Sequence, residues 1–228
     1  MNGTCFPRQR LPGRIAGVVF DCDGVLIDSR TANMAYYNRI RAFGGLGPMN
    51  RDEEEYAHMH SVQETLMRIF PHAMHGRLKE LAGNVDYERD ILPMVHAEPG
   101  LHACLDTLRD RGLRLAICTN RGRGMKAVLD SFNLRPYFDP VMTVADVKAK
   151  PAPDGLLHIA EHWRRPPEEL IFVGDSLLDA MAAKAAGACF LAYRNPRLQA
   201  QGHVDSFAEL ELILREISLE SSSRSVEI

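Results

Sequence analysis

The chain has one tryptophan and five cysteines in 228 residues, and it lacks any apolar stretch long enough to span a bilayer. The cysteines (Cys5, Cys22, Cys104, Cys118 and Cys189) are odd in number, widely spaced and without a CxxC pair. Most fall inside apolar runs, where a thiol behaves as a small hydrophobe, so neither a disulfide framework nor a structural zinc is expected. Blocks of one charge sign are also missing. The 27 basic and 30 acidic side chains are interspersed and leave a formal net charge of -3, which offers no footprint for a nucleic-acid backbone or an anionic membrane. The opening MNGTCFPRQRLPGR is polar and basic, without the apolar segment of a secretory leader. A cytoplasmic protein acting on a small molecule is the expectation, and the oligomeric state stays open.

What is present is an alternation of elements. The short apolar run IAGVVF, residues 15–20, is rich in β-branched residues and stops at acid and glycine, as a buried strand does. From about Thr31 to Met94 the apolar positions fall at helical spacing, broken by Gly44, Gly45, Gly47, Pro48, Pro71 and Gly83, with no convincing strand. Alternation resumes after Pro99-Gly100. LHACLDTLRDRG reads as a helix closed by Gly112, LRLAICTN as a strand, MKAVLDSFNL as a helix and PVMTVADV as a short strand. DGLLHIAEHWRR (helix), ELIFVGDS (strand), LLDAMAAKAAG (helix) and ACFLAY (strand) follow. Strands joined by single helices require right-handed crossovers and a mostly parallel sheet covered on both faces. The fold class is therefore α/β, with a core over residues 1–28 and 97–219, an inserted helical unit over 29–96, and a polar, frayed tail over 220–228. Gly24 with the LIDS segment, and Pro93 to Pro99, are the expected crossings between the two units.

The side chains at the strand ends carry chemistry. Asp21 and Asp23 follow VVF, Thr119 and Asn120 follow LAIC, Lys150 precedes PAP, and Asp175, Ser176 and Asp179 follow IFVG. Parallel strands put their carboxyl ends on one edge, so these scattered residues should converge on one crevice. Asp21, Asp23 and Asp175 together there would repel unless a cation neutralised them, and an all-oxygen set suits hard Mg²⁺ better than zinc. Asp21 could then attack the phosphorus of a phosphate monoester and form an aspartyl-phosphate. Asp23 could serve as acid and base, its pKa held up by the surrounding negative charge. Thr119 and Asn120 would donate to phosphoryl oxygens, Lys150 would supply a fixed cation, and Asp179 would orient Lys150 or a metal-bound water. Each feature also has a bland reading: Asp175-Ser176 can cap the helix after it, and Thr119-Asn120 can do the same.

DCDGVLIDS, CTN, the lysine of KPAPD and VGDSLLDAMAAKAAG resemble, in order, the four motifs of the haloacid dehalogenase superfamily of phosphohydrolases. The resemblance runs from Val18 to about Tyr193. The helical insert after the first motif is similar to the α-helical cap of the phosphoglycolate phosphatase and β-phosphoglucomutase branch. It implies a Rossmann-like core, Mg²⁺ dependence and a cap that closes over substrate. By the same resemblance Asp21 is nucleophile and metal ligand, Asp23 is acid/base and binds metal through its carbonyl, Thr119 and Lys150 hold phosphate, and Asp175 binds metal. The expected activity is hydrolysis of a small phosphorylated metabolite; a phosphomutase is the alternative enzyme, and a catalytically idle binding module the alternative outside enzymes. A dehalogenase has no need of the second acid, Asp23.

Two places depart from the family pattern. DVKAKPAPD carries an additional lysine, Lys148, which leaves two candidates for the catalytic amine, Lys150 being preferred beside Pro151. HMHSVQETL stands where relatives have a glycine-containing loop, so His58 and His60 are candidates for substrate contact, set against an ordinary polar helix face. Met59, Met67 and Met74 are expected in the core of the insert, Trp163 as a packing residue, and Arg121 and Arg123 as solvated loop arginines.

Overall fold

The computed structural model describes residues 14–122 and 124–223, apart from the side chains of residues 58, 59 and 216–223. Six parallel strands form one sheet: β1 (Gly17–Phe20), β4 (Arg114–Cys118), β5 (Val141–Met142), β6 (Leu170–Gly174), β7 (Cys189–Tyr193) and β8 (Gly202–Val204). Their order is β5-β4-β1-β6-β7-β8. From β1 the chain builds outward through β4 and β5, then returns to the other side of β1 with β6, so the order reverses between β1 and β6. Such a switch point opens a crevice beyond the carboxyl ends of the two strands.

Period-two alternation divides the buried side chains between two layers. Val18, Phe20, Leu115, Ile117, Ile171, Val173, Leu191 and Tyr193 face one core, covered by α6 (Leu101–Asp110), α7 (Met125–Ser131) and α10 (Phe207–Ser223). Val19, Ala116, Leu170, Phe172, Phe190 and Ala192 face the other, under α8 (Asp154–Trp163) and α9 (Leu177–Ala186). Besides Asp179, the buried positions on α9 are Ala182, Ala183 and Ala186, small enough to bring that helix close to the sheet. Trp163 packs there as expected, and its indole N–H donates to the Asp139 carbonyl at 2.9 Å.

A two-residue antiparallel pair, β2 (Ile27–Asp28) and β3 (His96–Ala97), brackets five helices: α1 (Arg30–Phe43), α2 (Arg51–Met59), α3 (Val62–Ile69), α4 (Leu78–Gly83) and α5 (Tyr87–Asp90). Local signals set their starts. Asn50 with Glu53, and Ser61 with Glu64, form reciprocal capping boxes that satisfy otherwise orphaned N–H groups. Arg41 ties the layer together by donating to the carbonyls of Gly47 and Ile69, both at 2.6 Å, and by pairing with Glu53. Met74 packs against the buried cluster. Met67 does not: it is 48% exposed, because its face of α3 looks into a cleft rather than onto a neighbouring helix. The side chain of Met59, and Arg123 altogether, fall outside the described residues.

At the C-terminus, α10 runs as helix to Ser223, into the polar segment that begins at residue 220. Residues 224–228 lie outside the described residues.

Candidate active site

The register places the acids. Phe20 pairs with Val173 and the Asp21 N–H donates to the Val173 carbonyl at 2.9 Å, so Asp21 leaves β1 beside the glycine that ends β6. Asp175 follows that glycine. Carboxylate oxygens of Asp21, Asp175 and Asp179 then lie within 4.8 Å of one another. Close backbone approach makes this possible. A Cβ on Gly174 would collide with the Asp179 side chain, and one on Gly24, whose φ is +78°, would overlap the Asp175 carboxylate. Gly24→Ala combines a left-handed backbone with that overlap and is expected to lower stability by about 1–2 kcal/mol in urea unfolding.

Lys150 is the amine among these acids. Its Nζ lies 2.8 Å from Asp21 Oδ1 and 2.6 Å from Asp179 Oδ1, with the lysine side chain 4% exposed. Lys148 stands exposed on the cleft wall. Burial opposes the charge on Lys150, but Asp179 and Asp21 outweigh it and hold the amine protonated well above its usual pKa. One amine does not balance three carboxylates. Burial, with the neighbouring acids adding to it and Lys150 opposing, pushes Asp21 up to about 7 and raises Asp175 well above the ordinary carboxylate range.

Asp179 serves two structures at once. It accepts from Lys150, and its other oxygen takes the Ser176 N–H at 3.0 Å and hydroxyl at 2.6 Å in the capping box that starts α9. The capping reading of Ser176 therefore holds alongside the site. For Thr119 and Asn120 it does not, because α7 begins later, at Met125, with no side-chain cap. Thr119 is buried and its Oγ1 accepts the Arg121 N–H at 3.1 Å, which leaves its own hydroxyl proton to donate. Asn120 exchanges hydrogen bonds with the Lys150 backbone, donating at 3.1 Å and accepting at 2.8 Å. It thus anchors the lysine's segment from the wall of the cleft.

Asp23 differs most from expectation. Its carboxylate is outside the three-acid cluster; Arg121 grips it through Nε at 3.0 Å and also through Nη2, and Ser29 Oγ donates to it. Burial alone would raise its pKa, but the charge and hydrogen bonds of Arg121, with Ser29 and Asn33, bring it below the ordinary value. The expected elevation by negative neighbours is overturned, since the nearest charge is positive. Arg121 is likewise no solvated loop residue: its side chain is 7% exposed and its Nη1 donates to the hydroxyl of Tyr87 on α5.

Asp21, Asp23, Thr119, Asn120, Arg121, Lys150, Asp175 and Ser176 line a cleft of about 1360 Å³ between the sheet's carboxyl edge and the helices inserted after β2, with Asp179 buried behind them. Tyr36, Tyr56, His60, Met67 and Arg68 form part of its far wall. The His60 ring stacks on Tyr56 with centroids 3.7 Å apart, and its Nδ1 lies 2.9 Å from the Tyr56 carbonyl. The side chain of His58 lies outside the described residues. The four described cysteines are free and buried, Cys22 within the core. No helix among the described residues is long and apolar enough to cross a membrane.

Comparison with known proteins gives a consistent neighbourhood. The model of the haloacid dehalogenase-like hydrolases matches residues 18–193. A phosphoglycolate phosphatase of Cereibacter sphaeroides is 31% identical over 218 residues, covering 88% of this chain and 98% of that protein. One from Nitrosospira multiformis is 40% identical over 103 residues, covering 44% of this chain and 45% of its own length. Among solved structures, a haloacid dehalogenase-superfamily hydrolase of subfamily IA from Geobacter sulfurreducens superposes with a TM-score of 0.77 at 35% identity, over 87% of this chain and 99% of that one. A predicted phosphoglycolate phosphatase from Haemophilus somnus shares the fold with a TM-score of 0.78 at 19% identity, over 88% and 98% of the two chains.

Proposed function

Since the chain belongs to the haloacid dehalogenase-like hydrolase family, we propose that it is a Mg²⁺-dependent phosphatase for a small phosphate monoester, of the phosphoglycolate phosphatase kind, working through an aspartyl-phosphate on Asp21. The observation that carries this reading is the all-oxygen cluster of Asp21, Asp175 and Asp179 at the switch point, with Lys150 2.8 Å from Asp21. The helices between β2 and β3 act as the cap over the core, and the enzyme works in the cytoplasm on a soluble phosphorylated metabolite.

The donor set fits the cation. Of the three clustered carboxylates only Asp21 and Asp179 pair with the amine of Lys150, and the raised pKa values of Asp21 and Asp175 mark a local shortage of positive charge. Asp21 and Asp175 would hold Mg²⁺ with the Asp23 carbonyl, and Asp179 would orient Lys150 behind them. When bound, the ion neutralises the carboxylates and polarises the phosphoryl group.

The chain's own groups carry the rest. Asp21 Oδ1 accepts from the Cys22 N–H at 2.7 Å and from Lys150, whereas Oδ2 has no hydrogen bond among the described residues, so one oxygen of the pair stays open. As Asp21 forms its bond to phosphorus, the ester P–O bond breaks; Asp23, which Arg121 holds ionised at rest, takes a proton from the monoanion of the bound ester and passes it to the leaving alkoxide. Water then attacks the phosphorus, Asp23 takes its proton, and the bond to Asp21 breaks to release inorganic phosphate. Two of the three Lys150 protons face Asp21 and Asp179, leaving one for a phosphoryl oxygen, and the free Thr119 hydroxyl proton serves another.

The test is phosphate release from a panel of phosphorylated glycolate, sugars, nucleotides and a generic aryl phosphate, with Mg²⁺ and with chelator. Release that ignores the metal, or transfer of phosphate to a sugar in place of water, contradicts the proposal. Binding to the folded state alone should also show in unfolding: at about 100 times its dissociation constant Mg²⁺ is expected to stabilise the protein by about 2.7 kcal/mol, reversed by chelator, in a thermal or urea melt.

A further inference from the structure

Asp23 sits in an arrangement that core and insert build together. From the core side, Arg121 closes a two-toothed grip on its carboxylate, Nε to Oδ2 at 3.0 Å and Nη2 to Oδ1. From the insert side, Ser29, the residue before α1, donates to Oδ1, and Asn33 Nδ2 on α1 reaches Ser29 Oγ at 3.3 Å. The remaining terminal nitrogen of Arg121 binds the hydroxyl of Tyr87, on α5, and the guanidinium carbon lies 5.7 Å from the centre of that ring. Gly124 makes room for this contact: a Cβ there would come within 3.3 Å of both Arg121 Nη1 and the Tyr87 ring. Every nitrogen of a guanidinium in the catalytic crevice is thus committed, two to Asp23 and one to the inserted helices.

Resting on the phosphatase reading above, we propose that Arg121 is the positioning residue for Asp23, and that Tyr87 makes this positioning depend on where the inserted helices sit. A planar fork fixes both oxygens of a carboxylate in one plane, which a lysine cannot do. The aim of Asp23 at the leaving group and at the attacking water is therefore set by Arg121. Moving α5 carries Tyr87 away from the third nitrogen and alters that aim, so proton transfer is tied to the position of the helices over the cleft.

The experiment compares two esters in the presence of Mg²⁺. One is p-nitrophenyl phosphate, whose leaving group departs without a proton; the other is an alkyl phosphate that the parent protein hydrolyses, whose alkoxide needs one. With Arg121→Lys, first-turnover release of p-nitrophenolate is expected to stay within about 3-fold of the parent, while kcat for the alkyl ester falls about 100-fold and KM moves less than about 3-fold. Tyr87→Phe removes a single hydroxyl and should fold even if the first variant does not; it is expected to lower alkyl-ester kcat about 3- to 10-fold with the same sparing of the aryl first turnover. A loss that affects both esters alike in either variant, or no loss in Tyr87→Phe, overturns the proposal. An inactive parent protein brings down the phosphatase reading and this inference together, whereas an active parent with indifferent variants removes only the role of Arg121.

Discussion

Asp21→Asn is expected to abolish turnover, by at least about 10⁴-fold in kcat, and to prevent any trapping of acid-stable protein-bound phosphate after a rapid quench with labelled substrate. Asparagine keeps the shape of the side chain, so the loss reports the nucleophile rather than packing. The accompanying effect on stability has the opposite sign. Asp21 shares one amine with Asp179 in a buried cluster that also contains Asp175. Neutralising one of three crowded acids relieves repulsion, so the metal-free variant should unfold no more easily than the parent and should bind Mg²⁺ more weakly. Retained turnover, or labelled phosphate on the Asn variant, would show that Asp21 does not form the covalent bond.

Lys150→Met is expected to damage both folding and catalysis. Removing one partner of a buried ion pair leaves the other uncompensated, which typically costs about 3–5 kcal/mol. Here the loss leaves two acids, Asp21 and Asp179, without their amine. Urea unfolding of the metal-free variant should show that loss. Mg²⁺ should restore part of it, because a cation shared by the acids replaces part of the missing charge. Activity is expected to stay roughly 10³-fold low even with Mg²⁺ saturating, since the fixed donor to the phosphoryl oxygens is gone. Lys148→Met, altering an exposed residue of the cleft wall, should do neither. Equal effects from the two lysines would count against the assignment of Lys150.

Much of the frame was legible because its signals are local. Short apolar runs ended by acid or glycine became β1 and β6, and the alanine-rich stretch after GDS became a helix lying close on the sheet. β8, with the sequence GHV, has no run of β-branched or aromatic residues; its pairing with β7 makes it a strand. PVMTVADV shortened to a two-residue strand at the sheet's edge, where one neighbour supplies all the pairing. Met67 has the apolarity of a core residue, yet its exposure follows from the cleft that the helices leave open. Nothing local marked Arg121 either. It looks like any arginine in a glycine-rich loop until a carboxylate 98 residues away arrives beside it.

By itself, the order of hydrophobic runs and the residues that stop them determined that the sheet is parallel and that its acids, hydroxyl and lysine share one edge, because backbone direction decides which ends of parallel strands coincide. Only the tertiary structure decided the partners within that edge: Lys150 rather than Lys148 against Asp21, and Arg121 with Asp23. Charge pairing of this kind depends on distances of a few ångströms and on exclusion of water, and neither exists until distant segments have packed together.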